Sequence, residues 1–182
     1  INVFVYIVRY GADDWAPKFM VEVKQNSDAL AAFKSGAHPL VGIVGMITAG
    51  FLSDKVFGAR RGPVTAIFMF LLCVCILLFY LIPAGHPVAD FVMLGLIGFF
   101  TYGPQALIAG VASIDFGSKR LAASATGFIG LFGYLGAVAS SLGTGVFVDR
   151  WGWKGGIIFW ALCAAVGGLL TLLMWNAKPK TA

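Results

Sequence analysis

Residues Phe4 to Asp14 read FVYIVRYGADD and close on Trp15. One planar cation, Arg9, stands inside this apolar run. If the run crosses a bilayer, the guanidinium lies at depth, where a charge costs about 2.5–3.5 kcal/mol on insertion scales. Such a group persists where it faces a polar cavity and binds something. At helical spacing Tyr6, Arg9, Tyr10 and Asp13 fall on one face. That face offers two phenol hydroxyls, a five-donor cation and a carboxylate. The set suits an anion surrounded by hydroxyls, such as a phosphorylated sugar or polyol. The plainer alternative is a structural Arg–Asp pair buried between helices.

The elements that must carry this face are written in the composition. The chain has 182 residues, 59% of them hydrophobic and only 12% charged, with mean hydropathy +0.89. Soluble domains carry about 25% charged residues. Glycine, at 24 residues, is also frequent, as in membrane helices. The net charge of +5 does not call for nucleic acid, because the cations lie between apolar runs, where they act as topology signals. Cys73, Cys75 and Cys163 lie inside apolar runs and read as small buried residues, neither a disulfide frame nor a metal site. His38 and His86 have no companions at metal spacing. The chain opens on Ile1, already inside an apolar run, and is expected to be part of something longer.

Six apolar runs are long enough to span about 30 Å of hydrocarbon: Ile1 to Val23, Ala31 to Leu52, Pro63 to Ile82, Val88 to Ile114, Leu121 to Val148 and Ile157 to Trp175. Pro17 permits a kink near the end of the first. None alternates with period two, so a barrel is not expected. The lipid bilayer is thus the first partner, and the fold class is all-α. The connections read VKQNSD, SDKVFGARRG, PAGHP, DFGSKR and DRWGWKGG, with a tail NAKPKTA. One side collects seven cations, Lys55, Arg60, Arg61, Lys119, Arg120, Lys178 and Lys180. The other holds four, Lys18, Lys24, Arg150 and Lys154, with Lys34 near a helix end and Glu22, Asp28, Asp90 and Asp149 among them. The positive-inside rule makes the first side cytoplasmic. Lys34 is expected to snorkel to the interface, and His38 to be a satisfied helix-end residue.

The second-to-third connection carries the most specific local motif: Gly50-Phe-Leu-Ser-Asp54-Lys55, then Arg60-Arg61-Gly62. Gly50 would let two helices approach closely. Asp54 would cap or pair at a helix end, and Arg60 and Arg61 would anchor the loop at the cytoplasmic face. A plain topogenic loop is the alternative. Further on, Tyr102-Gly103-Pro104-Gln105 lies in the middle of a run, where glycine and proline should break the hydrogen-bond ladder beside a cavity or a neighbouring helix. Gln105 could donate to a substrate or serve only as helix glue. Gly127, Gly130, Gly133 and Gly136 read as a small-residue packing stripe, with Tyr134 either packed or pore-lining.

The Gly50–Gly62 connection resembles the conserved cytoplasmic loop of the major facilitator superfamily, with one extra residue between Lys55 and the arginine pair. Together with FVYIVRYGADDWAPKF, YGPQALIAGVAS and ATGFIGLFGYLGA in that order, the chain resembles the C-terminal six-helix half of the organophosphate:phosphate antiporters. That group includes glycerol-3-phosphate and hexose-phosphate transporters and a hexose-phosphate sensor. The resemblance implies that residues 1–182 are helices seven to twelve of such a protein, with the N-terminal half absent. It implies that Arg9 binds phosphate, that Tyr6, Tyr102 and Tyr134 line the pore, and that Asp14 joins a salt-bridge network, which Asp13 would extend. It implies exchange of an organophosphate for inorganic phosphate in the inner membrane of a bacterium. As an alternative it implies a membrane sensor that signals to a histidine kinase. Glycerol-3-phosphate members carry a glutamate near the start of the eighth helix, where this chain reads His38-Pro39, so the substrate stays open. No cofactor is implied. No Ser-His-Asp arrangement, metal cluster or phosphate loop is present in the sequence, so an enzyme is not expected.

Overall fold

The computed structural model describes residues 1–111 and 122–177, and every regular element in them is helical. Helix α1 (Asn2–Tyr10) passes through a π-helical segment, Gly11–Trp15, into α2 (Ala16–Glu22). Pro17 has no N–H to give to the carbonyl of Asp13, and the chain widens on the residues just before it. The expected kink is therefore a wide turn, and it carries both aspartates. Helix α3 (Asp28–Ser35) leads into α4 (Ala37–Phe51) and a second π segment, Leu52–Val56. Helices α5 (Arg61–Leu81) and α6 (Pro87–Gln105) follow. The chain stays helical through Gly103 and Pro104, and the irregularity falls after them, in a π segment Ala106–Val111.

Residues Ala122–Leu172 are helical with a single interruption at Gly152, whose φ of 66° only glycine adopts freely. The two arms are α7 (122–151) and α8 (153–172). They fold back on each other: the Trp160 indole donates to Thr144 Oγ1 at 2.8 Å, and Phe159 covers Gly143. The connection expected at DRWGWKGG thus shrinks to one residue.

Among the described residues, four helical stretches are long and apolar enough to cross a membrane: Asp28–Val56, Arg61–Leu81, Pro87–Ala109 and Ala123–Leu172. The expected six are not reached by this count, for physical reasons. Residues 2–22 are absent from it because they carry Arg9, Asp13, Asp14 and Lys18, too many charges for an apolar span. The last runs for 50 residues with only Gly152 to divide it.

The helices pack through small residues. A side chain on Gly45 would strike the backbone of Phe99, and one on Gly98 the carbonyl of His38, so α4 and α6 touch backbone to backbone. On α7, Gly136 lies against the backbone of Val3 and Gly133 against the side chains of Asn2 and Tyr6, which brings α7 onto α1, where Ser140 Oγ also donates to the carbonyl of Ile7 at 2.7 Å. Gly127 and Gly130 meet nothing within 4 Å. Residues three apart turn by 300°, so four such glycines spread over half the helix circumference and only two can face α1. Gly50, expected at a close approach, likewise meets nothing within 4 Å. The buried core, including Val5, Val8, Phe19, Met69, Leu72, Ile76, Leu94 and Trp160, lies between α1, α2, α5, α6 and α8.

The connections within the described residues sort to two ends. Gly62 lies against the backbone of Met174 at one end. At the other, the Trp153 indole donates to Glu22 Oε2 at 2.8 Å. Lys119, Arg120, Lys178 and Lys180 lie outside the described residues. Lys34 does not snorkel. It is 2% exposed, and its Nζ lies 3.3 Å from Asp90 Oδ2, with Lys24 Nζ 3.3 Å from Oδ1. Lys24 also donates to the carbonyls of Phe79 and Ile82, and Lys34 to Asn26 Oδ1. A buried ammonium needs a counter-charge more than it needs the interface, and Asp90 supplies one to both lysines.

Candidate functional site

Arg9 ends α1, where a 25% exposed side chain emerges among aromatic rings. Its guanidinium carbon lies 4.9 Å from the ring centre of Tyr102, 5.5 Å from Tyr10 and 5.9 Å from Tyr6. Contacts of this length between a cation and a ring are attractive. Arg9 Nε is buried and has no hydrogen bond; it sits 3.5 Å from Asp13 Oδ2. The i, i+4 pair read from the sequence is present, but it is loose.

Tyr6 gathers the remaining candidates. Its ring lies 5.9 Å from Tyr134 on α7 and 5.9 Å from Tyr10. Its hydroxyl accepts a long hydrogen bond, 3.5 Å, from Gln105 Nε2 at the end of α6. Gln105 Oε1 is buried without a partner. Gly133 makes room for Tyr6, and Gly42 on α4 for Tyr102. Tyr6, Arg9, Tyr102, Gln105 and Tyr134, from α1, α6 and α7, therefore converge on one region. Tyr134 is 63% exposed, on the side of the bundle that lies open in this chain.

Asp13 carries the ion pairs. Its other oxygen, Oδ1, lies 2.7 Å from Nδ1 of His38, and a carboxylate there makes Nδ1–H the donor. His38, in the first turn of α4, is 1% exposed and edge-on to Tyr102 at 5.3 Å, so this helix-end residue packs among the candidate site residues. Asp14, also in the π segment, is exposed and takes part in no ion pair among the described residues. The sequence signal for His38 was a histidine one residue before proline in an apolar run, and spacing could not name its partner 25 residues away.

The motif loop lies apart, at the other end of α4, where it forms the α4–α5 connection. Arg61 Nη1 donates to Asp54 Oδ1 at 2.5 Å and to Ser53 Oγ at 2.9 Å. Arg60 Nε donates to the carbonyl of Phe57 at 3.0 Å, and Ser53 Oγ to that of Arg60 at 3.3 Å. Lys55 is exposed. Gly58 and Ala59 both take positive φ, 58° and 62°, and tighten the turn. Asp54 pairs as expected.

The backbone contact of Gly98 with His38 seats the imidazole. Gly98→Val should push α4 off α6 and cost about 1–3 kcal/mol by overpacking. Thermal unfolding in detergent measures it; an unchanged midpoint would show that the two helices are not in register here.

An apolar helical bundle with a cation among phenols, open on one side, defines a polytopic membrane protein able to receive an anion. The Major Facilitator Superfamily profile matches residues 3–182, and the chain belongs to that superfamily. Over 98% of its length it is 39% identical to the glycerol-3-phosphate transporter of Bacillus subtilis (strain 168), covering 40% of that protein. It is 38% identical to the probable hexose phosphate transport protein of Chlamydia pneumoniae, over 97% of this chain and 39% of the relative. It is 34% identical to the membrane sensor protein UhpC of Escherichia coli (strain K12), over 99% and 41%. The chain thus spans about two fifths of the length of these relatives.

Proposed function

We propose that this chain is the C-terminal six-helix half of a bacterial inner-membrane transporter that exchanges a phosphorylated three-carbon or hexose compound for inorganic phosphate. The observation that carries the reading is Arg9: a cation in an apolar bundle, ringed by Tyr6, Tyr10 and Tyr102, with a donor unspent. The printed names of the relatives support the substrate class. In this superfamily's architecture the substrate binds near the midplane between two halves, which rock to expose it alternately. Six crossings follow if 2–22 spans and if α7 and α8 each span. The phosphate then meets Arg9 and cations from the N-terminal half, while Tyr6, Tyr102, Tyr134 and Gln105 meet its hydroxyls. Asp13, with Asp14 at the rim, balances Arg9 when the site is empty. Gly50, Asp54, Lys55, Arg60 and Arg61 form the cytoplasmic loop, latched by the Arg61–Asp54 pair.

Exchange of phosphate for an organophosphate by the full-length protein in vesicles is the test. Saturable counterflow of inorganic phosphate against glycerol-3-phosphate or glucose-6-phosphate is expected; residues 1–182 alone should give none, since half the site is missing. Exchange by the fragment alone would contradict the reading. Specific binding without flux would favour the other reading, a membrane sensor of external hexose phosphate coupled to a histidine kinase, which the likeness to a sensor supports.

Orientation has its own check. A cysteine at Val56, 63% exposed in the π segment before the loop, should resist impermeant thiol reagents in intact cells. Labelling from outside would invert the topology.

A further inference from the structure

We infer that His38 is a positioning residue that couples proton uptake to anion binding at Arg9. This rests on the transport reading and deepens it. Asp13 is shared: Oδ2 faces Arg9 Nε at 3.5 Å and Oδ1 faces His38 Nδ1 at 2.7 Å. With His38 neutral, the guanidinium and carboxylate cancel, and the group presents no net charge to an incoming anion. With His38 protonated, Asp13 is balanced by the imidazolium, and the positive charge of Arg9 stands uncompensated beside the phenols. Histidine is the side chain whose charge changes in the physiological range.

His38 Nε2 is buried and has no hydrogen-bond partner among the described residues, so it is unoccupied by a donor, and the acceptor for a proton there has to come with the anion or its water. The ionisable groups near the ring are Asp13 on the π segment, Tyr102 on α6, and Arg9 through Asp13. On its own side of the chain Lys34 precedes His38, and it is held by Asp90, with Lys24 on the other oxygen. The formal charge that meets the imidazole is thus the Asp13 carboxylate, 2.7 Å from Nδ1. By linkage, an anion that prefers the charged state draws a proton onto His38 as it binds, and a proton already there tightens the anion.

The test uses inorganic phosphate and the full-length protein, comparing wild type with His38→Asn. The asparagine amide stands near Nδ1 and keeps a donor for Asp13 but gains no proton. Phosphate's own titration is common to both proteins and cancels in the ratio of their affinities. That ratio should change in favour of wild type by about fivefold or more from pH 8 to pH 6. Calorimetry of wild type in two buffers of different ionisation enthalpy should show net proton uptake beyond that of His38→Asn. This measurement on wild type stands if the variant does not fold, with phosphate's own protonation subtracted. Parallel pH profiles, or no excess proton uptake, would overturn the inference while leaving phosphate transport intact. Failure of wild type to bind phosphate at any pH would overturn both.

Discussion

Asp90→Asn should destabilise the folded protein by about 3–5 kcal/mol, the scale for stripping the counter-charge from a buried ion cluster. Lys24, Lys34 and Asp90 are each 3% exposed or less. Both ammonium groups lie 3.3 Å from one carboxylate. Removing that charge leaves two cations buried together, with the neutral amide at position 90, the carbonyls of Phe79 and Ile82 and the amide of Asn26 to solvate them. The cluster also ties the α2–α3 connection to the start of α6, so its loss frees that whole end of the bundle. Lys34→Met combined with Asp90→Asn restores the native net charge of the cluster and should recover much of the loss. Thermal or denaturant unfolding in detergent, followed by a double-mutant comparison, reads both. If Asp90→Asn unfolds at the wild-type midpoint, water reaches the cluster and the ion pairs contribute nothing.

Arg9→Lys should weaken phosphate-ester binding to the full-length protein tenfold or more. Charge-assisted hydrogen bonds contribute about 1.5–3 kcal/mol each, and about 1.4 kcal/mol is a factor of ten in affinity. Lysine keeps the charge but not the planar fork that meets two phosphate oxygens at once. It also loses the guanidinium's contacts with the rings of Tyr6, Tyr10 and Tyr102.

Much of this site was legible in the sequence because its parts violate their surroundings. An arginine in an apolar run and a Tyr-Gly-Pro-Gln block mid-helix each announce themselves without a partner. The Tyr6, Arg9, Tyr10 face follows from helical period alone, and it survives because the π turn at Gly11–Trp15 begins only after it. What spacing could not show is pairing between helices. Lys34 looked like an interfacial lysine because Asp90, 56 residues on, is invisible to any local pattern. His38 was set aside for the same reason. The glycines fared alike: Gly45 and Gly98 join α4 to α6, while Gly50 stands open, and only the direction each faces tells them apart. The turn between α7 and α8 was drawn as a loop because a single residue, Gly152 with its positive φ, does the work expected of eight.

The central claim is that Arg9 is held for an anion and not for Asp13. Equilibrium binding of phosphate ester to the full-length protein decides it, with Arg9→Ala compared to Arg9→Ala combined with Asp13→Asn. If Arg9 carries the phosphate, both variants lose binding to a similar extent, since restoring neutrality does not restore the donors. Recovery of near-wild-type affinity in the double variant would show that Arg9 serves only to balance Asp13, and would contradict the site assignment.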